Sequence, residues 1–280
     1  RYAFLRSAQA SDLPPILFLH GFGASIGHWR QNLPFFAQHH TVYALDLLGF
    51  GASEKAPIPY TVDLWVQQVR TFWQTFIRRP MMVVGNSIGS LVALTAAHQY
   101  PEMVQGLAML SLPDPSVRED LIPPWCRPWV SGLERALTGQ WILKPLFYWV
   151  RRPQVIRPWV SIAYARREAV TDELVELLAA PARDRGAALA FSHLLQGMIH
   201  PRFGPRVSTL LPDLQIPILL IWGRQDRMVP PAFGQIFAPL NPKLQLIELD
   251  PAGHCPHDEC AQDVNQILDD WIQRNIAQMG

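Results

Sequence analysis

Gly85-Asn86-Ser87-Ile88-Gly89 stands between two apolar runs, Pro80-Met81-Met82-Val83-Val84 before it and Ser90-Leu91-Val92-Ala93-Leu94-Thr95-Ala96-Ala97-His98 after it. The first run has the length of a buried strand and the second that of a helix, with a glycine-flanked serine at the junction. That order builds a nucleophile elbow, a strained turn that raises one hydroxyl above the end of a sheet. Glycines two residues either side of Ser87 let strand and helix approach where a side chain would clash. A helix N-cap serine is the ordinary alternative. The flanking strand and helix favour the elbow, so Ser87 is the candidate nucleophile of a hydrolase.

A serine hydroxyl is a weak nucleophile at neutral pH. It needs a base, and the base needs a carboxylate to orient it. Both follow in the order serine, acid, histidine. Asp226 ends Pro217-Ile218-Leu219-Leu220-Ile221-Trp222-Gly223-Arg224-Gln225-Asp226, an apolar strand running into a loop. His254 lies in Asp250-Pro251-Ala252-Gly253-His254, just past a strand at residues 244–249. Each therefore sits at the carboxyl end of a strand, where a parallel sheet presents its ligands. Taken singly, a turn carboxylate and a surface histidine are ordinary. Ser87, Asp226 and His254 together form a candidate triad. A further loop, His20-Gly21-Phe22-Gly23, follows the buried run Ile16-Leu17-Phe18-Leu19. In the pattern of such hydrolases it gives one backbone N–H of an oxyanion hole, at Phe22, and the residue after the nucleophile, Ile88, gives the other. His20 is expected to brace this loop, while His28 and Trp29 are expected at the pocket wall.

These segments, together with Asp46-Leu47-Leu48-Gly49-Phe50-Gly51-Ala52-Ser53, resemble the α/β-hydrolase superfamily across nearly the whole chain except its middle. The resemblance implies a mostly parallel central sheet flanked by helices, a structural role for Asp46, and a helical lid inserted after the sixth strand. Serine at the elbow, where haloalkane dehalogenases and epoxide hydrolases carry aspartate, implies acyl transfer to water. Asn86 beside the serine and Gly253-His254-Cys255-Pro256-His257-Asp258-Glu259 resemble the branch containing pheophytinase and chlorophyll dephytylase, which cleave the phytol ester of a tetrapyrrole. The chain departs from that branch at Ser90, where glycine is usual, and at Leu112-Pro113-Asp114-Pro115.

The motifs run from residue 16 to residue 254, so one sheet must gather them despite a length of 280 residues. Strands are expected at 2–5, 16–20, 41–46, 81–86, 106–111, 217–222 and 244–249, and helices near 26–37, 60–77, 87–98 and 258–276. Residues 1–112 and 213–280 then form the hydrolase core, and 113–212 the lid. The lid region holds 13 Lys and Arg against 9 Asp and Glu, whereas the rest holds 11 against 14. Trp125, Trp129, Trp141, Trp149 and Trp159, half of the ten tryptophans, fall there, with prolines expected to break it into short helices. Its longer helical pieces are expected at 171–178 and 186–198. The tryptophans either pack the lid's interior or line a greasy basic surface that admits a lipophilic ester and contacts a membrane peripherally.

The net charge of +1 and the absence of a recognised module exclude a strong nucleic-acid-binding field. No phosphate loop, zinc-ligand spacing or membrane-length apolar run is present, and the triad chemistry calls for no cofactor. Cys126, Cys255 and Cys260 form no evident disulfide framework, so an intracellular location is expected, at the thylakoid if the substrate is a pigment. Cys255 adjoins His254 but has no elbow. Lid histidines His193 and His200 are expected to be ordinary helix histidines and not ligands of a tetrapyrrole metal. The expected activity is hydrolysis of a bulky lipophilic carboxylic ester, chlorophyll or pheophytin among the candidates. A general carboxylesterase, a carbon–carbon bond hydrolase and a triad-bearing ligand receptor are the alternatives.

Overall fold

The computed structural model describes residues 1–7, 13–117 and 138–276. Within them seven strands share one sheet: β1 (Tyr2–Leu5), β2 (Ile16–Leu19), β3 (Val42–Leu45), β4 (Met81–Asn86), β5 (Val104–Leu110), β6 (Ile218–Gly223) and β7 (Leu244–Leu249). Their spatial order is β1-β3-β2-β4-β5-β6-β7, parallel throughout except for β1 against β3. Among the described residues, the helices of eight residues or more are α1 (Val62–Phe72), α2 (Ile88–Gln99), α3 (Gln140–Val150), α4 (Pro153–Ala163), α5 (Asp172–Ala179), α6 (Ala187–Ile199) and α7 (Ala261–Asn275).

The central strands are apolar without alternation because both faces of a parallel sheet are covered. Alternate residues nevertheless serve different cores. Leu17, Leu19, Met81, Val83, Ile218, Leu220 and Trp222 join the layer beneath α1 and α2. Ile16, Phe18, Met82, Val84, Leu219 and Ile221 join the opposite layer with Trp29, Phe36 and the inner face of α7. A one-residue slip of any central strand would exchange these two sets.

The strand order reverses between β2 and β4, since the chain builds outward in opposite directions from that pair. Such a reversal opens a crevice at the carboxyl ends of the two strands. The loop containing Gly21 and Phe22 leaves β2 there, and Ser87 leaves β4.

Several local expectations change. The helix expected over 26–37 is two single turns, Ile26–Trp29 and Leu33–Phe36. Between them the Asn32 side chain donates to the His257 carbonyl and the Asn265 side chain, tying this stretch to α7. The last helix starts at Ala261 and not at 258, because Cys260 leaves helical geometry (φ −127°, ψ 45°) and sets the turn Pro256–Glu259 apart. The helical segment expected after a sixth strand follows the fifth, β5, since among the described residues only β1 precedes Ile16–Leu19. Its pieces at 171–178 and 186–198 correspond to α5 and α6, and Thr171 caps α5 by accepting from the Leu174 N–H at 3.1 Å.

Pro145 and Pro158 do not break the segment; each lies inside an eleven-residue helix. The carbonyls they leave without a helical donor belong to Trp141 and Gln154, both exposed residues.

Candidate active site

Backbone register brings the first two pieces together. Leu19 pairs with Gly85, so the residues that follow run side by side out of the sheet. A Cβ on Gly21 would lie 2.9 Å from Asn86 Oδ1 and 3.2 Å from Ser87 Cβ. Only glycine lets the β2 loop come this close. Ser87 itself has φ 54° and ψ −121°, outside the favoured regions for a side chain-bearing residue. Its N–H donates to the Leu110 carbonyl at 2.9 Å, which ties the strained turn to β5. Gly89 is required on the far side, since a Cβ there would lie 2.3 Å from the Leu19 carbonyl oxygen. Ile88 is the first residue of α2, so its N–H has no acceptor within the helix. Phe22 is exposed in the opposing loop, its ring edge-on to Phe50 at 5.5 Å.

Asp226 and His254 meet across the ends of β6 and β7. His254 Nδ1 donates to Asp226 Oδ2 at 2.8 Å. The other carboxylate oxygen accepts from the backbone N–H groups of Met228 and Val229 at 2.8 and 2.9 Å. With one oxygen held by its own turn, the second can only face the imidazole. The two loops are locked to each other by the Gln225 N–H donating to the Ala252 carbonyl and the Ala252 N–H donating to the Gln225 side chain. Gly223 permits this approach, because a Cβ there would lie 2.1 Å from the Gly253 carbonyl. The histidine loop is also fastened to the elbow: Asn86 Nδ2 donates to the His254 carbonyl at 3.0 Å. Ser87, Asp226 and His254 are all buried.

Other candidates settle into framework roles. His20 Nδ1 donates to the Gly21 carbonyl at 2.7 Å and Nε2 accepts from the Leu47 N–H at 3.0 Å, so neither nitrogen is free to act as a base. Asp46 accepts from the N–H groups of Ile26 and Ala52 at 2.7 and 2.8 Å, holding its turn closed. Cys255 and Cys260 are free and buried. Burial, with the carboxylates of Asp258, Asp226 and Glu259 around it, pushes the Cys255 thiol well above its ordinary range, which removes it as a rival nucleophile. Among the described residues no group of histidine, cysteine and carboxylate side chains could hold a metal.

His28 and Trp29 do not line a pocket wall. Trp29 is packed in the core against Phe18 and the His257 ring, and His28 is buried beneath it. The Tyr164 hydroxyl donates to Asp258 Oδ2 at 2.7 Å, so it must accept from His28 Nε2 at 2.8 Å. Arg30 completes the chain with an ion pair to Asp258 at 2.7 Å. Burial lowers the His28 pKa to about 4, and Asp258 only partly opposes this.

Two residues with a clear hold on the site stand out in the sequence only by comparison with relatives, and neither shows its role there. Glu259 accepts from the Gly253 N–H at 2.7 Å through one oxygen and from the Arg166 N–H through the other. The His254 N–H donates to the Ala163 carbonyl at 2.7 Å. The end of α4 is thereby clamped onto the histidine loop, and the partners lie 93 residues apart in sequence. Ser90 is the second. Its hydroxyl reaches the carbonyls of Gly85 and Leu110 and accepts from the Leu110 N–H, stitching the elbow to β5.

The tryptophans divide. Trp125 and Trp129 lie outside the described residues. Trp141, Trp149 and Trp159 are 76%, 53% and 58% exposed, so they do not pack the interior of the helical segment. A cavity of about 430 Å³ beside the Asp226 loop is lined instead by Arg157, Ser161, Ile162, Tyr164, Arg167 and Arg227 among others.

A parallel sheet with a strained serine at its switch point and a hydrogen-bonded Asp–His pair at the neighbouring strand ends defines a hydrolase-type site. The chain belongs to the alpha/beta hydrolase fold family, which it matches over residues 14–261. It is 26% identical to the chloroplastic pheophytinase of Arabidopsis thaliana, over 94% of this chain and 62% of that protein. To human protein ABHD8 it is 25% identical, over 97% of this chain and 57% of that one. The chain thus spans about three fifths of the length of these curated relatives. Among solved structures, a bacterial membrane phospholipase A described as a virulence factor is 25% identical with a TM-score of 0.75, over 97% of this chain and 82% of that chain.

Proposed function

We propose that this hydrolase cleaves a carboxylic ester of a bulky lipophilic substrate through an acyl-enzyme on Ser87. The observation that carries the reading is the 2.8 Å bond from His254 Nδ1 to Asp226, held by loops that Asn86 fastens to the strained Ser87 turn. This bond fixes the neutral imidazole with its proton on Nδ1, leaving Nε2 as the base. In the proposed reaction His254 takes the Ser87 proton as the hydroxyl attacks the ester carbonyl. The amides of Phe22 and Ile88 receive the developing oxyanion. His254 then protonates the leaving alcohol and afterwards activates the water that releases the acid. Asp226 keeps the imidazole oriented and stabilises its charged form. Residues 113–212 act as the lid over this site.

The relation to pheophytinase supports a phytol ester of chlorophyll or pheophytin as the substrate, with a thylakoid setting. The relation to a phospholipase supports the lipophilic class more broadly. The test is hydrolysis of chlorophyll a and pheophytin a in detergent beside p-nitrophenyl esters of increasing chain length, with wild type and Ser87→Ala run together and free phytol detected directly. Phytol release that requires Ser87 is the expected result. Rapid cleavage of other esters without phytol release discards the pigment and retains the serine mechanism. Full activity in Ser87→Ala overturns the mechanism itself.

A further inference from the structure

Helix α3 is apolar on two faces where a surface helix needs one. Leu143 and Phe147 point inward, and Phe147 packs on Phe191 of α6 at 5.1 Å. Trp141, Lys144, Pro145, Tyr148 and Trp149 follow a spacing of three, four, seven and eight from the first residue. At 3.6 residues per turn this places all five on one face, opposite Leu143 and Phe147. Every one of the five is exposed, as is Arg152 in the extended turn between α3 and α4. Burying the inner face is sufficient reason for the helix to form, so the outer aromatic face needs a different explanation.

The charges point to its occupant. From Gly139 to Arg167 the chain carries six basic residues and no acidic one. Arg157 is answered by Asp172 at the start of α5, and Arg151, at the end of α3, lies over the Tyr148 ring of the same helix at 4.6 Å. Lys144 stands on the same face as the two tryptophans, and the exposed Arg152 follows in the turn after α3. Indole and phenol rings flanked by basic residues match the boundary of a bilayer, where rings sit among the headgroups and cations meet lipid phosphate. Among the described residues no helix is long and apolar enough to cross a membrane, so contact through this face would be peripheral.

We propose that the outer face of α3 docks on the surface of an anionic phospholipid bilayer, with Trp141, Tyr148 and Trp149 entering the headgroup layer and Lys144 and Arg152 meeting lipid phosphates. The proposal stands on this surface alone and does not need Ser87 to be the nucleophile.

The test is co-sedimentation with vesicles of phosphatidylcholine, with and without phosphatidylglycerol, using Ser87→Ala as the background so that turnover plays no part. Binding to the anionic vesicles, weakened by salt, is expected. Trp141→Ala with Trp149→Ala, and separately Lys144→Glu with Arg152→Glu, should each weaken it by about tenfold or more while the circular-dichroism melt is unchanged. Failure to bind anionic vesicles, or binding by both double variants as tight as that of the Ser87→Ala background, overturns the proposal. So does a concentration-dependent dimer in analytical ultracentrifugation that the tryptophan variant dissolves, because a second copy would then be the occupant. Loss of ester hydrolysis in Ser87→Ala with vesicle binding intact separates this surface from the catalytic reading.

Discussion

Asp226→Asn exchanges one carboxylate oxygen for an amide nitrogen and leaves the shape of the side chain unchanged. Oδ1 accepts from the Met228 and Val229 N–H groups at 2.8 and 2.9 Å, and only an oxygen can keep both bonds. The amide nitrogen must therefore take the position of Oδ2, 2.8 Å from His254 Nδ1. A donor now faces Nδ1, so the imidazole moves its proton to Nε2. With that nitrogen protonated, it no longer accepts the Ser87 proton. The same exchange in a serine-protease triad costs roughly 10⁴ in kcat, about 5.5 kcal/mol of transition-state stabilisation. The variant should lose activity on that scale while its melting temperature falls by only a few degrees, because the turn keeps its bonds. Asp226→Ala should lose a comparable amount of activity and more stability, since two buried N–H groups then lack an acceptor at about 1–3 kcal/mol each. Stopped-assay hydrolysis of a p-nitrophenyl ester, paired with thermal melts, reads both. A kcat for Asp226→Asn within about tenfold of wild type would refute the argument that Asp226 sets the tautomer.

Ser87→Gly should abolish hydrolysis yet raise the melting temperature by about 2–4 °C, because glycine adopts φ 54° without the strain of about 1–3 kcal/mol that serine carries there. An unchanged or lower melting temperature would mean that the elbow stores no strain. Glu259→Gln keeps one acceptor oxygen but turns an NH₂ toward one of the Gly253 and Arg166 N–H groups. It should lower kcat more than it raises KM, through displacement of the His254 loop, and steady-state kinetics with Glu259→Asp as the partial rescue checks this. The pH dependence of stability follows from His28, whose pKa falls from 6.5 in the unfolded chain to about 4 in the fold. The unfolded chain binds the proton across that interval, so stability is fully present above pH 6.5 and is lost as pH falls toward 4. The shift corresponds to about 3 kcal/mol, and burial lowers His20, His40 and His257 in the same direction. Urea unfolding of His28→Gln between about pH 4 and 7 should show a flatter profile than wild type; an identical slope would remove His28 from the account.

The sequence alone determined those features that depend on neighbours along the chain. Strand-serine-helix at Ser87, apolar strands ending near Asp226 and His254, and the glycines at 21, 85 and 89 are local patterns, and each fixes a backbone geometry by sterics. The order of those pieces was sufficient to require a parallel sheet. Helix boundaries were less legible where tertiary bonds compete with propensity, as at Asn32, which is held by His257 and Asn265, and at Cys260, which breaks the last helix. Pro145 and Pro158 misled in the other direction: each removes one helical bond, from the exposed residues Trp141 and Gln154, and the helix continues through it.

Only the tertiary structure decided which side chains hold the site in place. Glu259 meets Arg166, Tyr164 joins His28 to Asp258, and Asn86 holds the His254 loop, over separations of 93, 136 and 168 residues. No periodicity spans such distances, because these partners meet only after the crossover connections have stacked the strands. The exposure of Trp141, Trp149 and Trp159 has the same origin. A tryptophan buries or not according to whether a neighbouring element covers it, and in α3 the inner face had already been taken by Leu143 and Phe147.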